Sequence, residues 1–148
     1  MSDTYLRVFP ADPNYAPEQV ARERALKFMT KLFPGAVEIK EKLSDHTVFI
    51  DPGGNWEGVE CPQCAQDLGD WWSSAMDRAW DSKFSDLRVK TPCCGLETAL
   101  NELHYRWPVG FGRYYISVLY PEHDLDKAEL HQLGIAFGAR VKQLYAHY

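Results

Sequence analysis

Apolar and polar positions alternate over Tyr5-Leu-Arg-Val-Phe9 until Pro10 interrupts the run, a pattern that predicts a short first strand. Ala11 to Ala16 is turn-like. From Pro17 onward, Val20, Ala21, Ala25, Phe28, Met29, Leu32 and Phe33 recur at three-four spacing, so an amphipathic helix is expected up to a stop at Pro34-Gly35. A period of two returns over Ala36 to Leu43, and Thr47 to Asp51 is a further apolar run closed by Pro52-Gly53-Gly54. The C-terminal part repeats this grammar. Tyr114 to Tyr120 reads as a strand ended by Pro121, Asp126 is placed to cap a helix whose stripe is Leu130, Leu133 and Phe137, Gly138 stops that helix, and Val141 to Tyr145 is a final strand.

Both ends therefore share one order: strand, proline, polar loop, helix, glycine, strand. Two such units in one antiparallel sheet, with helices on one face, make an α+β fold of the ferredoxin-like type, β-α-β-β-α-β. The expected framework is residues 1–51 and 111–148, with an inserted, zinc-ribbon-like subdomain over 52–110 in the central hairpin. Inside that segment Asp70 to Trp80 predicts a short helix with Trp72, Met76 and Trp80 on one face. Leu87 to Lys90 predicts a strand, Leu96, Leu100 and Leu103 a helical turn, and Trp107 to Gly112 a glycine-hinged return.

Composition narrows the class. A chain of 148 residues with 45% hydrophobic and 14% aromatic content is expected to fold as one unit, and no apolar run approaches the ~18 residues of a membrane-spanning helix. Met1 to Pro10 lacks a basic segment followed by an apolar stretch, so a cytoplasmic location is expected. The net charge of −5 has a location: residues 44–110 hold five Lys/Arg against eleven Asp/Glu, whereas the flanking parts are nearly balanced. Such a surface disfavours nucleic acid, which needs a basic patch, and suits a basic protein partner.

The four cysteines occur as Cys61-Pro62-Gln63-Cys64 and Thr91-Pro92-Cys93-Cys94-Gly95. Two thiolates separated by two residues can grip one ion from a tight turn, and a second pair completes a tetrahedral shell. A redox dithiol is an alternative, but it calls for a basic neighbour and the local charge is acidic. Buried or disulfide-linked cysteines are another.

The first stretch resembles half of a rubredoxin-type zinc knuckle, Cys-Pro-x-Cys-Gly, and the second resembles the other half. Ala65 stands in place of the first knuckle's glycine and Thr91 in place of the second knuckle's first cysteine. The resemblance covers only about residues 61–95 and implies a structural Zn²⁺ on Cys61, Cys64 and Cys94. Cys93 is the first choice for the fourth ligand and His104 the runner-up.

Five tryptophans, at 56, 71, 72, 80 and 107, all lie in the same central segment. Trp56, Glu57, Glu60, Asp67, Asp70 and Trp71 are the candidate partner-binding residues, because interface energy concentrates on aromatic anchors while charge sets the encounter rate. His46 beside Asp45 and His123 beside Asp124 resemble general-base pairs, yet no nucleophile motif accompanies them and no catalytic residue is assigned. The expected function is a small acidic, zinc-containing binding protein acting through protein-protein interaction, with an immunity or antitoxin-type protein as one concrete form. The alternative is a small-molecule or thiol-redox enzyme with a pocket between framework and insertion and His46 or His123 as proton carrier.

Overall fold

A computed structural model describes residues 2–148. In chain order the elements are β1 (Thr4–Pro10), α1 (Gln19–Leu32), β2 (Glu38–Ile50), β3 (Val59–Glu60), α2 (Gly69–Trp80), β4 (Arg88–Lys90), β5 (Glu97–Ala99), a 3₁₀ turn (Leu100–Glu102), β6 (His104–Tyr105), β7 (Gly110–Leu119), α3 (Lys127–Phe137) and β8 (Val141–His147). Four strands form one antiparallel sheet in the order β2-β7-β1-β8. The short strands pair separately, β3 with β6 and β4 with β5.

The period-two pattern of β1 and β7 decides what the sheet buries. Leu6 and Val8 share a core with Tyr114, Ile116 and Val118, and Ala25, Met29 and Phe33 from the first helical unit meet Leu133 and Phe137 from the second in that same cluster. Both helices thus lie on one face. Each fully buried large apolar side chain here is worth roughly 1.5–3 kcal/mol relative to exposure. The opposite face carries a smaller cluster, Phe9, Ile50, Leu144 and Ala146.

The helix ends differ from each other in a way the sequence explains. α3 has a full capping box: Asp126 Oδ1 accepts from the Glu129 amide at 2.8 Å and Glu129 Oε1 accepts from the Asp126 amide at 3.0 Å. The first helix has no side-chain cap, and it begins at Gln19, beyond the expected start at Pro17.

β2 is one strand where the sequence pattern shows two runs, because a bulge between Leu43 and Val48 absorbs the irregular stretch. The buried Thr47 within that bulge donates its hydroxyl to Pro13 O at 2.8 Å. β7 likewise starts earlier than Tyr114. Gly110, expected to be a hinge, is a strand residue; a Cβ there would lie 2.6 Å from the Phe9 ring, so close packing demands the glycine.

The segment between β2 and β7 gathers its own apolar cluster around Val59, Leu68, Leu87, Leu100 and Leu103, joined to the framework through Phe49 and Phe111. In α2, Ala75 and Ala79 are buried and Trp72 and Met76 pack beside them on the cluster, whereas Trp80, expected on the same face, is 50% exposed. Leu96 to Leu103 is extended and then 3₁₀ instead of a helical turn. Both ends of the segment are tied to β8: the Gly54 amide donates to His147 O at 2.7 Å, and Asn55 Nδ2 and Trp107 Nε1 donate to Tyr145 O at 3.2 and 2.9 Å. Among the described residues no helix is long and apolar enough to cross a membrane.

Candidate metal centre

Two loops with the same hydrogen-bond scheme face each other. In the first, the Cys61 amide donates to Gln66 O at 2.9 Å and the Ala65 amide to Cys61 O at 3.0 Å; in the second, the Thr91 amide donates to Leu96 O at 2.9 Å and the Gly95 amide to Thr91 O at 3.1 Å. Each follows a short strand, β3 or β4. Each also turns through a left-handed residue, Ala65 at φ 62° and Gly95 at φ 73°, so Gly95 occupies a position that favours glycine and Ala65 strains a position that does. By this correspondence Thr91 matches Cys61, Cys94 matches Cys64, and Cys93 matches Gln63.

The loops bring all four sulfurs within 4.8 Å of one another. Cys61 Sγ lies 3.7 Å from Cys94 Sγ, Cys64 Sγ 3.3 Å from Cys93 Sγ, and Cys93 Sγ 3.9 Å from Cys94 Sγ. Tetrahedral thiolates at Zn–S near 2.3 Å would sit about 3.8 Å apart, and the cluster brackets that edge length. The donor set therefore fits a thiophilic metal ion. Cys61 is buried and the other three are exposed, so the cluster sits at the rim of the apolar core with one ligand rooted in it.

The two cysteines of the first loop are shifted in opposite directions. The backbone amide of Cys64, with that of Gln63, points at the Cys61 sulfur and brings its thiol down to about 6. For Cys64 the Gln66 amide pulls the other way from the neighbouring Cys93, Cys61 and Cys94 sulfurs and from desolvation, and the balance pushes it up to about 12.

Thr91 Oγ1 occupies the place that a fourth symmetric thiol would take, 3.7 Å from Cys94 Sγ and 4.0 Å from Cys61 Sγ. Its hydroxyl accepts from the Leu96 amide at 3.0 Å and so locks the second loop. His104 lies outside the cluster: its Nδ1 is 2.5 Å from Glu60 Oε1. That contact, ahead of Arg106, lowers the Glu60 carboxyl below its ordinary range, and the Gly69 amide, followed by Arg106, does the same for Asp67.

Three of the six residues expected at a partner surface line one groove. Asp67, Asp70 and Trp71 line a groove of about 390 Å³ with Leu68, Pro92 and Cys93, directly beside the cysteine cluster. Glu60 and Asp67 share Arg106, at 3.4 and 3.1 Å. Trp56 stacks on Trp72 with ring centres 4.7 Å apart, and Glu57 is exposed; neither lines the groove. His46 sits in the β2 bulge, edge-on to Trp80, with its Nδ1 buried, 3.7 Å from Asp45 Oδ1 and without a hydrogen-bond partner among the described residues. His123 stacks on Phe33 at 4.9 Å. No protein-family model, curated protein or solved structure matches this chain.

Proposed function

We propose that residues 52–110 form an inserted, zinc-ribbon-like subdomain on a ferredoxin-like framework, and that the protein is a binding module for a basic protein segment. The β2-β7-β1-β8 order with both helices on one face supports the framework reading. Cys61, Cys64, Cys93 and Cys94 would hold Zn²⁺, and four thiolates leave no open coordination position, so the ion would act as a cross-link. A reducing, cytoplasmic setting suits four free thiols.

One observation carries the binding reading: Asp70, Trp71 and Asp67, the last also holding Arg106, line one groove beside Cys93. A lysine or arginine side chain finds there both charge and an aromatic face. A toxin-neutralising protein is one setting for such a surface. The enzyme alternative has less support, since neither His46 nor His123 lines the clefts at the knuckles, α2, α3 or the open sheet face.

The double variant D67N/D70N tests the proposal against a short Lys/Arg-rich peptide in stopped-flow association. The wild type should associate faster than the variant by about tenfold at low salt, with a steeper salt dependence. Equal rates at low salt would sink the groove as the binding surface.

A further inference from the structure

The sheet face turned away from α1 and α3 carries an arrangement that neither the cysteines nor the acidic segment explains. Arg7 stands on the inner strand β1, where the register sets it opposite Ser117 on one side and Leu144 on the other. Its guanidinium carbon lies 5.3 Å from the ring centres of Tyr5 and Tyr115 and 5.4 Å from that of Tyr148. Nε donates to Ser117 Oγ at 3.2 Å, and Nη1 donates to Asp51 O at 3.1 Å and to Tyr148 Oη at 2.9 Å. The group is thus fixed in place, while Nη2 has no acceptor among the described residues.

Beside it lies a cleft of about 230 Å³ lined by Tyr5, Arg7, Lys40, Lys42, Tyr115 and Ser117. Glu38 and Glu41 also reach the cleft, but both are engaged: Glu38 pairs with Lys40 at 2.8 Å and Glu41 accepts from the Tyr114 hydroxyl at 2.7 Å. Lys42, register partner of Tyr115, has no carboxylate partner among the described residues. Arg7 and Lys42 therefore present cationic donors next to two phenol rings.

We propose that this cleft binds a small phosphorylated aromatic molecule of the mononucleotide class. Its ring would lie against Tyr5 and Tyr115 and its phosphate would take the free edge of Arg7 and the ammonium of Lys42. Ring stacking on aromatic side chains tolerates any base, and guanidinium and ammonium groups are the usual phosphate partners. The cleft is smaller than the ~300–1,000 Å³ typical of pockets that enclose a drug-sized ligand, so it accommodates one ring system with the phosphate at the rim.

Amide chemical shifts of the ¹⁵N-labelled full chain, titrated with 5′-AMP, adenosine or inorganic phosphate, test this directly. Saturable shifts confined to residues 4–8, 38–42 and 115–118 are expected with 5′-AMP, with at least tenfold weaker binding for adenosine and for phosphate alone. Arg7 holds three neighbours and its loss can disturb the fold, so Lys42→Glu is the primary variant; it should weaken 5′-AMP at least tenfold with an unchanged melting temperature. Tyr115→Leu should weaken it while leaving the remaining phosphate binding in place. The proposal is overturned by the absence of saturable shifts at millimolar 5′-AMP, by phosphate binding as tightly as 5′-AMP, by an undiminished K42E variant, or by a single-stranded oligonucleotide that binds more tightly than the mononucleotide.

Discussion

The framework and the segment between β2 and β7 reach a folded state by different means. The framework sandwiches one sheet face against two helices, and its central residues Leu6, Val8, Tyr114, Ile116, Leu133 and Phe137 are all fully buried. The intervening segment has two ribbons of only two or three residues per strand and one helix whose buried positions are alanines. Its apolar cluster is real, with Val59 and Leu100 fully buried, but regular secondary structure supplies little of its order. Where strands are so short, aromatic contacts among Trp56, Trp72 and Tyr105 contribute to the packing, and the proposed metal on the four cysteines would add a cross-link.

This contrast breaks most visibly when the proposed metal is removed. All five tryptophans lie in the segment and none in the framework, so tryptophan emission isolates it spectroscopically. A chelator should shift the emission to the red and expose Trp72, while the slowest-exchanging amides of β1 and β7 stay protected. Structural zinc sites contribute on the order of 10 kcal/mol, enough to decide whether so small a unit folds. Emission and amide protection that ignore the chelator would mean that no metal holds the segment together.

Core truncation is the next largest effect. Leu133→Ala in the framework and Leu100→Ala in the segment each delete a fully buried side chain, and each should lower stability by about 2–5 kcal/mol in chemical denaturation. The two should part company in hydrogen exchange: Leu133→Ala lowers protection throughout, and Leu100→Ala lowers it only between β2 and β7 if that segment opens on its own. A uniform loss in both would make the molecule a single cooperative unit. Smaller again is Asp126→Ala, which removes the α3 capping box and should cost about 1 kcal/mol with tryptophan emission unchanged. Smallest is Ala65→Gly. Relief of the left-handed backbone at φ 62° should stabilise the first cysteine loop by up to about 1 kcal/mol, read as a modest rise in melting temperature; a fall would mean that the alanine methyl makes a contact worth more than the strain.

The sequence made some elements legible because their signals are local. Alternation over Tyr5 to Phe9 and the Asp126-Gly138 bracket need no partner to be read, and the four cysteines lie together in space as their spacing suggests. What stayed hidden depends on long-range contact. Gly110 reads as a hinge until the Phe9 ring is seen pressed against it, and the β2 bulge has no periodic signature of its own. Strands of two residues are shorter than any detectable period. Trp72 and Met76 pack inward as their spacing suggests, but Trp80 is turned outward, and the small Ala75 and Ala79 are what let the helix approach its neighbours. Arg7 was invisible because a charged residue in an alternating strand reads as solvent-facing. A signal did exist: Tyr5 and Tyr115 both occupy the polar phase of their strands, and two tyrosines out of phase with the core on adjacent strands mark an aromatic patch on the open face.

The pairing of Ile50 with Gly110 has a consequence for the order of folding. That pair closes the central hairpin, and the whole intervening segment lies between its members. Bringing them together from an unstructured loop requires loop-closure entropy in advance of the β2-β7 contacts, which slows the search even though the final stability is little altered. If the two cysteine loops and their apolar cluster form first, the two stems arrive closer together, and a long-range strand pairing becomes a more local one. The cysteine loops then act on the rate at which the sheet assembles, as a template for a pairing in which they take no part.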